Sequence, residues 1–303
     1  MMKILVVTRE KRSRPFDTLF NGIGHALGSV EIIYLSQEDT YRVGDVICGT
    51  DLTSFDRVLL DVPMRKLEQH IPVLSSIRGL FIYEEDTWQE FNRFSKARGK
   101  FSRIMSKLPN ASLIVTGYKM ERFFRTIGVR VFCAPKAADD SYLWDERRER
   151  DIELAFIGTV KNKIYKKRNK YIAAIEKSHG LQVLQTDPTD EYRETLNRIR
   201  LFFSADVDFG EYMAKNFEAM LCGCVLIAAR QNTEEDALGF RDMENIILYD
   251  SIKEARRKID LLRGNPALVE RIGNAGRELV FEKHLLRHRI DVFSKALTGE
   301  GSA

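Results

Sequence analysis

The sequence predicts an α/β protein built from two doubly wound domains in tandem. Apolar strands alternate with helical patterns along the chain. The strands are continuous runs of Val, Ile and Leu, as in parallel sheets covered on both faces. The alternation stops once, in the charged stretch Asp139–Arg150, and then restarts. A length of 303 residues also exceeds one ordinary core, so we expect two domains of roughly 150 residues each.

The first domain is predicted to carry six strands, with helices such as Phe16–Leu27 and Met120–Ile127 between them. Gly22 and Gly24 lie inside the first of these helical patterns, where glycine is unfavourable. They suggest a close approach of the backbone to a ligand. The predicted strands are Lys3–Thr8, Val30–Ser36, Arg57–Val62, Leu80–Tyr83, Ser112–Thr116 and Val129–Cys133.

The stretch Asp139–Arg150 lacks hydrophobic periodicity and indicates a linker, so we expect domains at residues 1–140 and 150–283. Both domains are Rossmann-like, and such sheets bind small molecules at the carboxyl ends of their strands, here facing the interdomain crevice. Helices are predicted at about 164–178, 190–198, 214–222, 252–263, 267–279 and 284–297. The predicted strands are Glu153–Ile157, Gln182–Gln185, Leu201–Ser204, Cys224–Ala228 and Ile246–Leu248.

The composition favours a globular protein and argues against a disordered or membrane-spanning one. Hydrophobic residues make up 44% and charged residues 30% of the chain, which is typical of globular proteins. No apolar run approaches the ~18–20 residues of a membrane span, and the chain opens as a strand rather than a signal peptide. Of the cysteines Cys48, Cys133, Cys222 and Cys224, the last two lack the two-residue spacer of a metal or redox pair. We expect a cytoplasmic protein with reduced cysteines and no metal site.

The distribution of charge is more informative than its sum. The formal net charge is +4 and the pI is about 8.8, which is too mild to indicate nucleic-acid binding. The segment Lys161–Lys170, however, holds six cations in ten residues. It indicates either a solvated helix face or an anion site, for phosphate or for an acidic membrane at its inner surface.

The first candidate binding segment is the turn that follows the predicted strand Glu153–Ile157. Gly158 ends the strand and a basic helix begins, with Lys161 and Lys163 nearby. A glycine at this place lets backbone N–H groups approach an anion, and lysines supply the countercharge. The Gly-Lys-Ser/Thr of a P-loop is missing. The segment is therefore either a phosphate site or an ordinary strand–helix turn.

The second candidate is the helix that starts at about Ala214, after the loop Phe209-Gly210-Glu211. Lys215 and Glu218 fall in about its first turn. Helix N-termini present unpaired N–H groups and a positive dipole end, so they hold phosphates. A carboxylate near that end can accept hydrogen bonds from the vicinal hydroxyls of a ribose. Alternatively, Glu218 is only a residue that the dipole favours at a helix start.

The segment Lys215-Asn-Phe-Glu-Ala-Met-Leu-Cys-Gly-Cys-Val-Leu-Ile resembles the Phe-Glu-Ala-hydrophobic-x-x-Gly-x-Val-Leu-Ile segment of GT-B glycosyltransferases. More closely, it resembles the glycosyl transferases group 1 branch that includes CgeB-type proteins, where the segment commonly reads Arg/Lys-x-Phe-Glu-Ala. Phe156-Ile-Gly158, Tyr192-x-x-x-Leu196-Asn and His284-x-x-x-x-Arg289 agree in order. The resemblance covers about residues 150–290.

The resemblance implies that Glu218 holds the donor ribose, while Lys215, Asn216 and the helix start face the diphosphate. Many group 1 members carry a second glutamate eight positions before the first, where it touches the donor sugar. That position is Gly210 here, and Glu211 is displaced by one residue. Recognition of the sugar by Glu211 and the usual retaining stereochemistry therefore stay open.

The first domain is expected to bind the acceptor and to supply a base. Its fourth predicted strand ends at three carboxylates, Glu84, Glu85 and Asp86, beside Trp88. An inverting transferase uses a carboxylate or a histidine to remove the acceptor proton, and an aromatic ring stacks on a sugar. Glu85, Asp86 and His25 are the candidate bases. The alternative is a solvated acidic loop with Trp88 in the core and a structural His25.

The resemblance implies a GT-B glycosyltransferase of the hexosyl or a related class, whose segment 284–303 packs back on the first domain. Its donor would be a UDP- or GDP-type nucleotide sugar, with no cofactor and no metal. Its acceptor would be a sugar, a lipid-linked glycan or a protein. A non-catalytic nucleotide-sugar-binding or assembly protein on a degenerate scaffold is the alternative. A sugar-phosphate epimerase or a phosphorylase is a third. Fold alone does not choose among them.

Overall fold

The structure, a computed structural model, describes residues 1–11, 16–160, 163–188, 190–207 and 209–300. Contacts between residues divide it into two compact units. The first unit is Met1–Pro135 together with the segment from Arg287 onward, and the second is Lys136–Leu286. Each unit is built on its own parallel sheet, so the predicted fold class of two Rossmann-like domains is confirmed.

The sheet of the first unit has six strands in the order β2-β1-β3-β4-β5-β6, and each pair is parallel. Neighbouring residues of β1, from Ile4 to Val7, are all fully buried. Both faces of the sheet are therefore covered, which explains the continuous apolar runs in the sequence. The strands are β1 (Met2–Arg9), β2 (Gly28–Leu35), β3 (Arg57–Asp61), β4 (Leu80–Glu84), β5 (Ser112–Val115) and β6 (Val131–Cys133).

Five α-helices of the described chain connect these strands, and most of them are short. Their apolar side chains, with Phe101, Ile104 and Phe124 among them, enter the same core as the strand residues. The helices are α1 (Asp17–Leu27), α2 (Val43–Cys48), α3 (Ile71–Leu74), α4 (Lys100–Ser106) and α5 (Tyr118–Thr126).

The sheet of the second unit has five strands in the order β11-β10-β9-β7-β8, again with parallel pairs. Because the strands run in one direction, their carboxyl ends meet at one edge, where α/β proteins bind ligands. Every strand that the sequence predicts overlaps a strand of the structure. The strands are β7 (Ile152–Ile157), β8 (Gln182–Leu184), β9 (Ile199–Ser204), β10 (Val225–Ala229) and β11 (Ile247–Tyr249).

The helices of the second unit cover both faces of this sheet and close its core. Within the ranges that the structure describes, no helix is both long and apolar enough to cross a membrane. The helices are α6 (Lys166–His179), α7 (Asp190–Arg198), α8 (Ala214–Leu221), α9 (Glu235–Leu238), α10 (Ile252–Arg263) and α11 (Pro266–Lys283).

The last helix, α12 (Arg289–Thr298), belongs to the first unit, where it packs against α1. The Arg57 Nε donates a hydrogen bond to the Leu297 carbonyl at 2.8 Å. The rings of Tyr83 and Phe293 meet edge to face, with centroids 5.2 Å apart. The chain therefore leaves the first sheet, builds the second unit, and ends on the first, as the predicted fold class requires.

Gly22 and Gly24 serve protein packing rather than a ligand. A Cβ at Gly22 would lie 2.2 Å from Cδ1 of Ile290, and a Cβ at Gly24 would lie 3.4 Å from the Val30 side chain. The space that Gly22 leaves is therefore occupied by α12. The suggestion that these glycines admit a ligand is wrong for this reason.

We expect Gly22→Leu to lower the free energy of unfolding by about 1–3 kcal/mol, because the new side chain must displace Ile290 in a packed interface. Leucine is the better helix former by about 1 kcal/mol, so propensity alone predicts the opposite sign. Urea denaturation followed by circular dichroism measures the difference. Ala26→Leu, at an exposed position of α1, is the matched control.

The double variant Gly22→Leu/Ile290→Ala should recover part of the lost stability, because truncation of Ile290 makes room for the leucine. Ala26→Leu should change stability little, because alanine and leucine are both good helix formers. A stability gain in Gly22→Leu would show that α12 does not pack against Gly22.

Candidate functional site

Two motifs that are distant in the sequence meet at the carboxyl edge of the second sheet. Strand β7 ends at Ile157, and Gly158 follows. Lys215, in the first turn of α8, donates from Nζ to the Ile157 carbonyl at 3.2 Å, across 58 positions of the chain. The same Nζ lies 4.7 Å from the ring centroid of Phe156. The structure thus brings the predicted residues Gly158 and Lys215 together.

Gly158 is required here for the space it leaves. Its φ is 143°, and a Cβ would lie 2.9 Å from the Lys215 Nζ and 3.1 Å from Cζ of Phe156. Its backbone N–H donates to the Leu184 carbonyl at 3.0 Å. This N–H is therefore engaged within the sheet, and the expectation that backbone N–H groups of the turn approach an anion stays a prediction. The glycine lets the ammonium of Lys215 approach the end of β7.

A buried ion pair lies beside Lys215. Arg168, in the first turn of α6, binds Asp206, which follows β9, and both side chains are almost fully buried. The Ser204 hydroxyl donates to the second carboxylate oxygen of Asp206 at 3.0 Å. Burial alone raises the pKa of Asp206, but the charges of Arg168 and Lys215 and the hydrogen bonds outweigh it and hold the pKa below its usual value.

Aromatic rings enclose the guanidinium of Arg168. It lies 4.0 Å from the ring centroid of Tyr165 and 5.0 Å from that of Phe209. The cluster of Arg168, Asp206 and Lys215 carries one net positive charge. It stands at the start of two helices whose dipoles add to that charge. This edge of the sheet is therefore suited to an anion.

Glu218 lies one turn further along α8 and is fully buried. The hydroxyl of Tyr192, on α7, donates to its carboxylate at 2.5 Å. Tyr192 itself is half-buried. A ribose hydroxyl that reached Glu218 would either replace the tyrosine hydroxyl or use another acceptor position of the carboxylate. The assignment of Glu218 to the ribose stays a prediction.

Asn216 and Glu211 are also fully buried. Neither amide atom of Asn216 has a hydrogen-bond partner among the residues that the structure describes. Glu211 forms an ion pair at 3.0 Å with Lys136, which is itself almost fully buried. The Glu211 carboxylate is therefore engaged within the second unit. The donor-sugar role that Glu211 would inherit stays a prediction.

The basic segment is described only in part. Lys161 lies outside the described residues, as does the side chain of Lys163. Lys166 and Lys170 are exposed, whereas Arg168 is buried. Among the described side chains of this segment, Arg168 is a cation that joins the site.

Sequence reasoning missed Arg168, Asp206 and the contact between Tyr192 and Glu218. A signal for Arg168 exists, because it precedes Ile172 by four residues and Ile175 by seven. Both isoleucines are buried in α6. A cation on the buried stripe of a helix needs a buried partner.

The acidic loop of the first unit lies at the carboxyl edge of the first sheet. Glu84 ends β4 and is buried, with its carboxylate accepting the Met64 N–H at 2.7 Å and the Asp86 N–H at 3.0 Å. Burial, followed by the negative charge of Asp86, raises the pKa of Glu84 to about 7. Glu84 therefore fixes two loops, and it does so as a carboxyl group that titrates near neutral pH.

Glu85 and Asp86 differ from Glu84 in exposure. Asp86 is exposed and Glu85 is half-buried. Trp88 is 5% exposed, and its indole N–H donates to Asp86 at 3.3 Å. The expectation that Trp88 stacks on a sugar is not met, because the ring is in the core. A cavity of about 100 Å³ opens beside the loop. Its charged lining is Arg9, Asp61, Arg65, Glu84, Glu85 and Asp86.

His25 does not join this group. It lies exposed in the last turn of α1, two residues before the end of that helix. The following strand, β2, starts at Gly28 beside Met2, at the amino edge of the sheet. The structure thus separates His25 from Glu85 and Asp86 by the length of the strands.

The cysteine pair is part of the core. Cys222 and Cys224 are buried, and burial raises the pKa of the Cys224 thiol to about 12. In the described part of the chain, no group of three or more His, Cys, Asp or Glu side chains could hold a metal ion.

Comparison with known proteins identifies the second half of the chain. A family model described as "Glycosyl transferase-like" matches residues 144–295, which are 152 of the 303 residues. A search of curated proteins finds no match to the sequence. The matched residues include Lys215, Glu218 and Arg168.

Solved structures share the architecture of the whole chain. Sucrose-phosphate synthase from Thermosynechococcus elongatus has a TM-score of 0.74 at 11% identity, with 99% of each chain covered. HepE from Anabaena, in complex with UDP-glucose, has a TM-score of 0.64 at 10% identity, with 99% of this chain and 100% of that one covered. A glycosyltransferase from Rickettsia africae has a TM-score of 0.62 at 8% identity, over 98% of both chains. At such identities the likeness shows the fold, which is GT-B.

We expect Glu84 to make stability depend on pH. Its pKa is raised in the folded protein, so between about pH 4.5 and 7 the folded form keeps a proton that the unfolded form has lost. This contribution is fully present below the unfolded pKa and is lost as the pH rises through 7. Each pH unit in that window costs up to about 1.4 kcal/mol.

The measurement is urea denaturation of the wild type and of Glu84→Gln between pH 5 and 8. The free energy of unfolding of the wild type should fall by about 2–3 kcal/mol more than that of the variant. Glu31→Gln, which neutralises an exposed carboxylate of the same unit, should follow the wild type. Parallel curves for wild type and Glu84→Gln would rule out the raised pKa.

Proposed function

Because the chain belongs to the glycosyl transferase-like family, we propose that it transfers a sugar from a UDP- or GDP-type nucleotide sugar to an acceptor hydroxyl. One observation carries the donor half of this proposal. Lys215 and Arg168, from the first turns of two helices, converge beside Asp206 at the carboxyl edge of the second sheet. HepE, solved with UDP-glucose, makes UDP the first nucleotide to test.

In this proposal the two cations stabilise the leaving diphosphate, on which negative charge develops as the glycosidic bond breaks. Lys215 is half-buried and can contact a phosphate directly. Arg168 is fixed by Asp206 and contributes its field from the core. Lys161 and Lys163 add further countercharge as predicted from the sequence. The scheme uses no metal ion and no cofactor.

The ribose in this proposal approaches α8 through Tyr192. The tyrosine hydroxyl and the Glu218 carboxylate form one hydrogen-bonded pair, and a ribose diol offers two hydroxyls that can replace the tyrosine as donor. The proposal includes a relation to the CgeB-like branch, because the segment from Lys215 to Ala219 resembles that branch. The acceptor is a glycan, a lipid-linked glycan or a protein.

The acceptor proton in this proposal goes to Asp86. Among the three neighbouring carboxylates, Asp86 is the exposed one, whereas Glu84 accepts two backbone N–H bonds. The Trp88 indole N–H orients the Asp86 carboxylate. A carboxylate that is exposed yet oriented can accept a proton from a hydroxyl as it attacks the donor. Glu85 is the second candidate, and His25 has no part in the scheme.

A second candidate function is nucleotide-sugar binding without transfer. The observation that favours it is the ion pair between Glu211 and Lys136, which are both buried. The Glu211 carboxylate is thus engaged by a cation of its own unit. Gly210, at the position where many group 1 members carry a glutamate, supplies no second carboxylate. Incubation with UDP-glucose and GDP-mannose, with and without added acceptors, separates the two functions. Released nucleotide diphosphate supports transfer, and binding without release supports the second candidate.

We expect Lys215→Met to weaken UDP binding by about 10- to 100-fold, because a hydrogen bond to a charged group contributes about 1.5–3 kcal/mol. Uridine, which has no phosphate, should lose no affinity. Isothermal titration calorimetry measures both. Lys177→Met, at an exposed position near the end of α6, removes the same charge from the same unit and should bind UDP as the wild type does. Equal UDP affinities of the two variants would remove Lys215 from the site.

We expect Asp86→Asn to reduce kcat by about 10²- to 10⁴-fold, the usual contribution of a general base. The affinity for the nucleotide should stay unchanged, because Asp86 belongs to the first unit. Steady-state rates of nucleotide release, with calorimetry of UDP binding, provide the two readouts. Glu85→Gln is the matched comparison. A variant rate equal to that of the wild type would exclude Asp86 as the base and leave Glu85 to be tested.

A further inference from the structure

Two adjoining cavities lie on the second unit, outside the site described above. Their volumes are about 510 and 460 Å³, and both are lined by Asp145 and Asn274. We call the pair the α11 groove, because α11 forms one wall and the segment Asp140–Arg150 forms the other. Each volume is in the range of small-molecule sites.

The α11 groove lies at the amino edge of the second sheet. Arg200, at the start of β9, and Gly223, just before β10, line it. The candidate donor site is at the carboxyl edge. A six-residue strand such as β9 spans roughly 20 Å at about 3.3 Å per residue, so this length separates the two sites. The groove is therefore distinct from the donor site.

One end of the groove is aromatic. Trp144 and Phe281 line it and are among the most exposed large apolar side chains, at 45% and 54%. The Trp144 carbonyl accepts from the Asn197 amide at 3.0 Å, and the guanidinium of Arg193 lies 4.2 Å from the centroid of the Trp144 ring. The ring is thus held in place and partly open to solvent. An indole face with polar side chains beside it suits a sugar ring, which has apolar faces and polar edges.

Planar polar side chains surround these rings. Asp140, Asn274, Arg277 and Glu278 also line the aromatic cavity. Carboxylate, amide and guanidinium groups can each make paired hydrogen bonds to vicinal hydroxyls. The chemistry of this end is therefore that of a carbohydrate site rather than of a purely apolar groove.

The other end is basic. Arg147, Arg148, Arg150 and Arg200 line the second cavity, against the acidic residues Asp145 and Glu270. The start of α11, at Pro266, also lines it and adds the positive end of a helix of 18 residues. The lining thus holds four cations and two carboxylates, and two further carboxylates, Glu146 and Glu153, lie behind it.

The four arginines do not have equal roles. Arg150 pairs with Asp145 and donates to the carbonyls of Cys222 and Ile199, so it is structural. Arg148 pairs with Glu146, and Arg200 lies 3.8 Å from Glu153, both at half-exposed positions. Such surface pairs contribute little, so an anion can compete for these cations.

Arg147 is the most available of the four. It is exposed, and its φ of 53° lies in the left-handed region, which is unfavourable for residues other than glycine. The backbone N–H of Arg147 donates to the Asp145 carboxylate at 3.0 Å, and this hydrogen bond fixes the turn. The sequence thus keeps an arginine where the backbone would favour glycine or asparagine.

We propose that the α11 groove binds an anionic oligosaccharide. A sugar ring stacks on Trp144, and a phosphate or comparable substituent binds Arg147, Arg148 and Arg200. Binding of the glycan to the groove does not depend on the proposed function. The identification of this glycan as the acceptor chain does rest on the proposed function. Binding about 20 Å from the donor edge, the groove holds a part of the acceptor remote from the reacting hydroxyl.

The test compares two matched probes, phosphorylated pentamannose and unphosphorylated mannopentaose, by isothermal titration calorimetry at fixed ionic strength. The wild type should bind the phosphorylated sugar at least tenfold more tightly. Trp144→Ala should weaken binding of both probes at least tenfold, and Trp144→Phe should retain most of it. The triple variant Arg147→Ala/Arg148→Ala/Arg200→Ala should bind the two probes equally.

The matched control is Lys177→Ala/Lys253→Ala/Arg257→Ala, which removes three exposed cations of the same unit away from the groove. It should discriminate between the probes as the wild type does. The proposal fails if the wild type binds neither probe, if Trp144→Ala binds as the wild type does, or if the control triple loses discrimination equally. Binding to phosphatidic acid vesicles without binding to either sugar would also overturn it, in favour of a lipid headgroup.

Titration with UDP keeps this proposal separate from the proposed function. All groove variants should bind UDP as the wild type does, which also shows that they are folded. A wild type that binds the phosphorylated sugar but no nucleotide would overturn the donor site and leave the groove. A wild type that binds UDP but neither sugar would overturn the groove proposal and leave the donor site.

Discussion

The ion pair between Arg168 and Asp206 is the interaction on which the second unit's candidate site depends. It joins the first turn of α6 to the loop after β9, and Tyr165 and Phe209 pack against its guanidinium. Both charges are buried, so removal of one partner would leave the other uncompensated, at a cost of about 3–5 kcal/mol. Asp206 is thus needed although the site is suited to an anion. It keeps one arginine in the core, beside the ammonium of Lys215, whose charge helps to lower the pKa of Asp206.

Three buried glutamates have three different kinds of hydrogen-bond partner. Glu84 accepts two backbone N–H bonds, and burial still raises its pKa to about 7. Glu211 faces the ammonium of Lys136. Glu218 accepts the hydroxyl of Tyr192. Burial raises the pKa of Glu84 despite its two backbone donors, Lys136 engages Glu211 in an ion pair, and the Tyr192 hydroxyl is a neutral partner of Glu218 that a sugar hydroxyl can replace. The same side chain therefore has three different capacities within one chain.

The sequence was sufficient for elements whose signal is local. Every predicted strand overlaps an observed one, and the Gly158 turn and the Lys215 helix start lie together at one sheet edge. The sequence was insufficient where packing between distant segments determines which side chains are buried. Six cations within ten residues gave no preference for Arg168 until the buried stripe of α6 was known. Gly22 suggested a ligand because the sequence does not show that Ile290, far along the chain, fills its space. Composition likewise could not show that Trp88 is buried while Trp144 is exposed.

The segment that the sequence indicates as a linker illustrates how a binding surface can arise without regular structure. Other parts of the second unit hold its backbone. Asn197 binds the Trp144 carbonyl and the Glu146 N–H, and the Arg150 guanidinium donates to carbonyls in or next to strands β9 and β10. These anchors act on the main chain or through Arg150, and the Trp144 ring adds its contact with the Arg193 guanidinium. Much of the indole and the Arg147 side chain are left exposed. Exposure of the Trp144 indole costs apolar hydration, and a ligand that covers the ring recovers it. The left-handed backbone at Arg147 is a separate cost, which a ligand does not relieve. The exposed indole is therefore the physical reason to look for a glycan there.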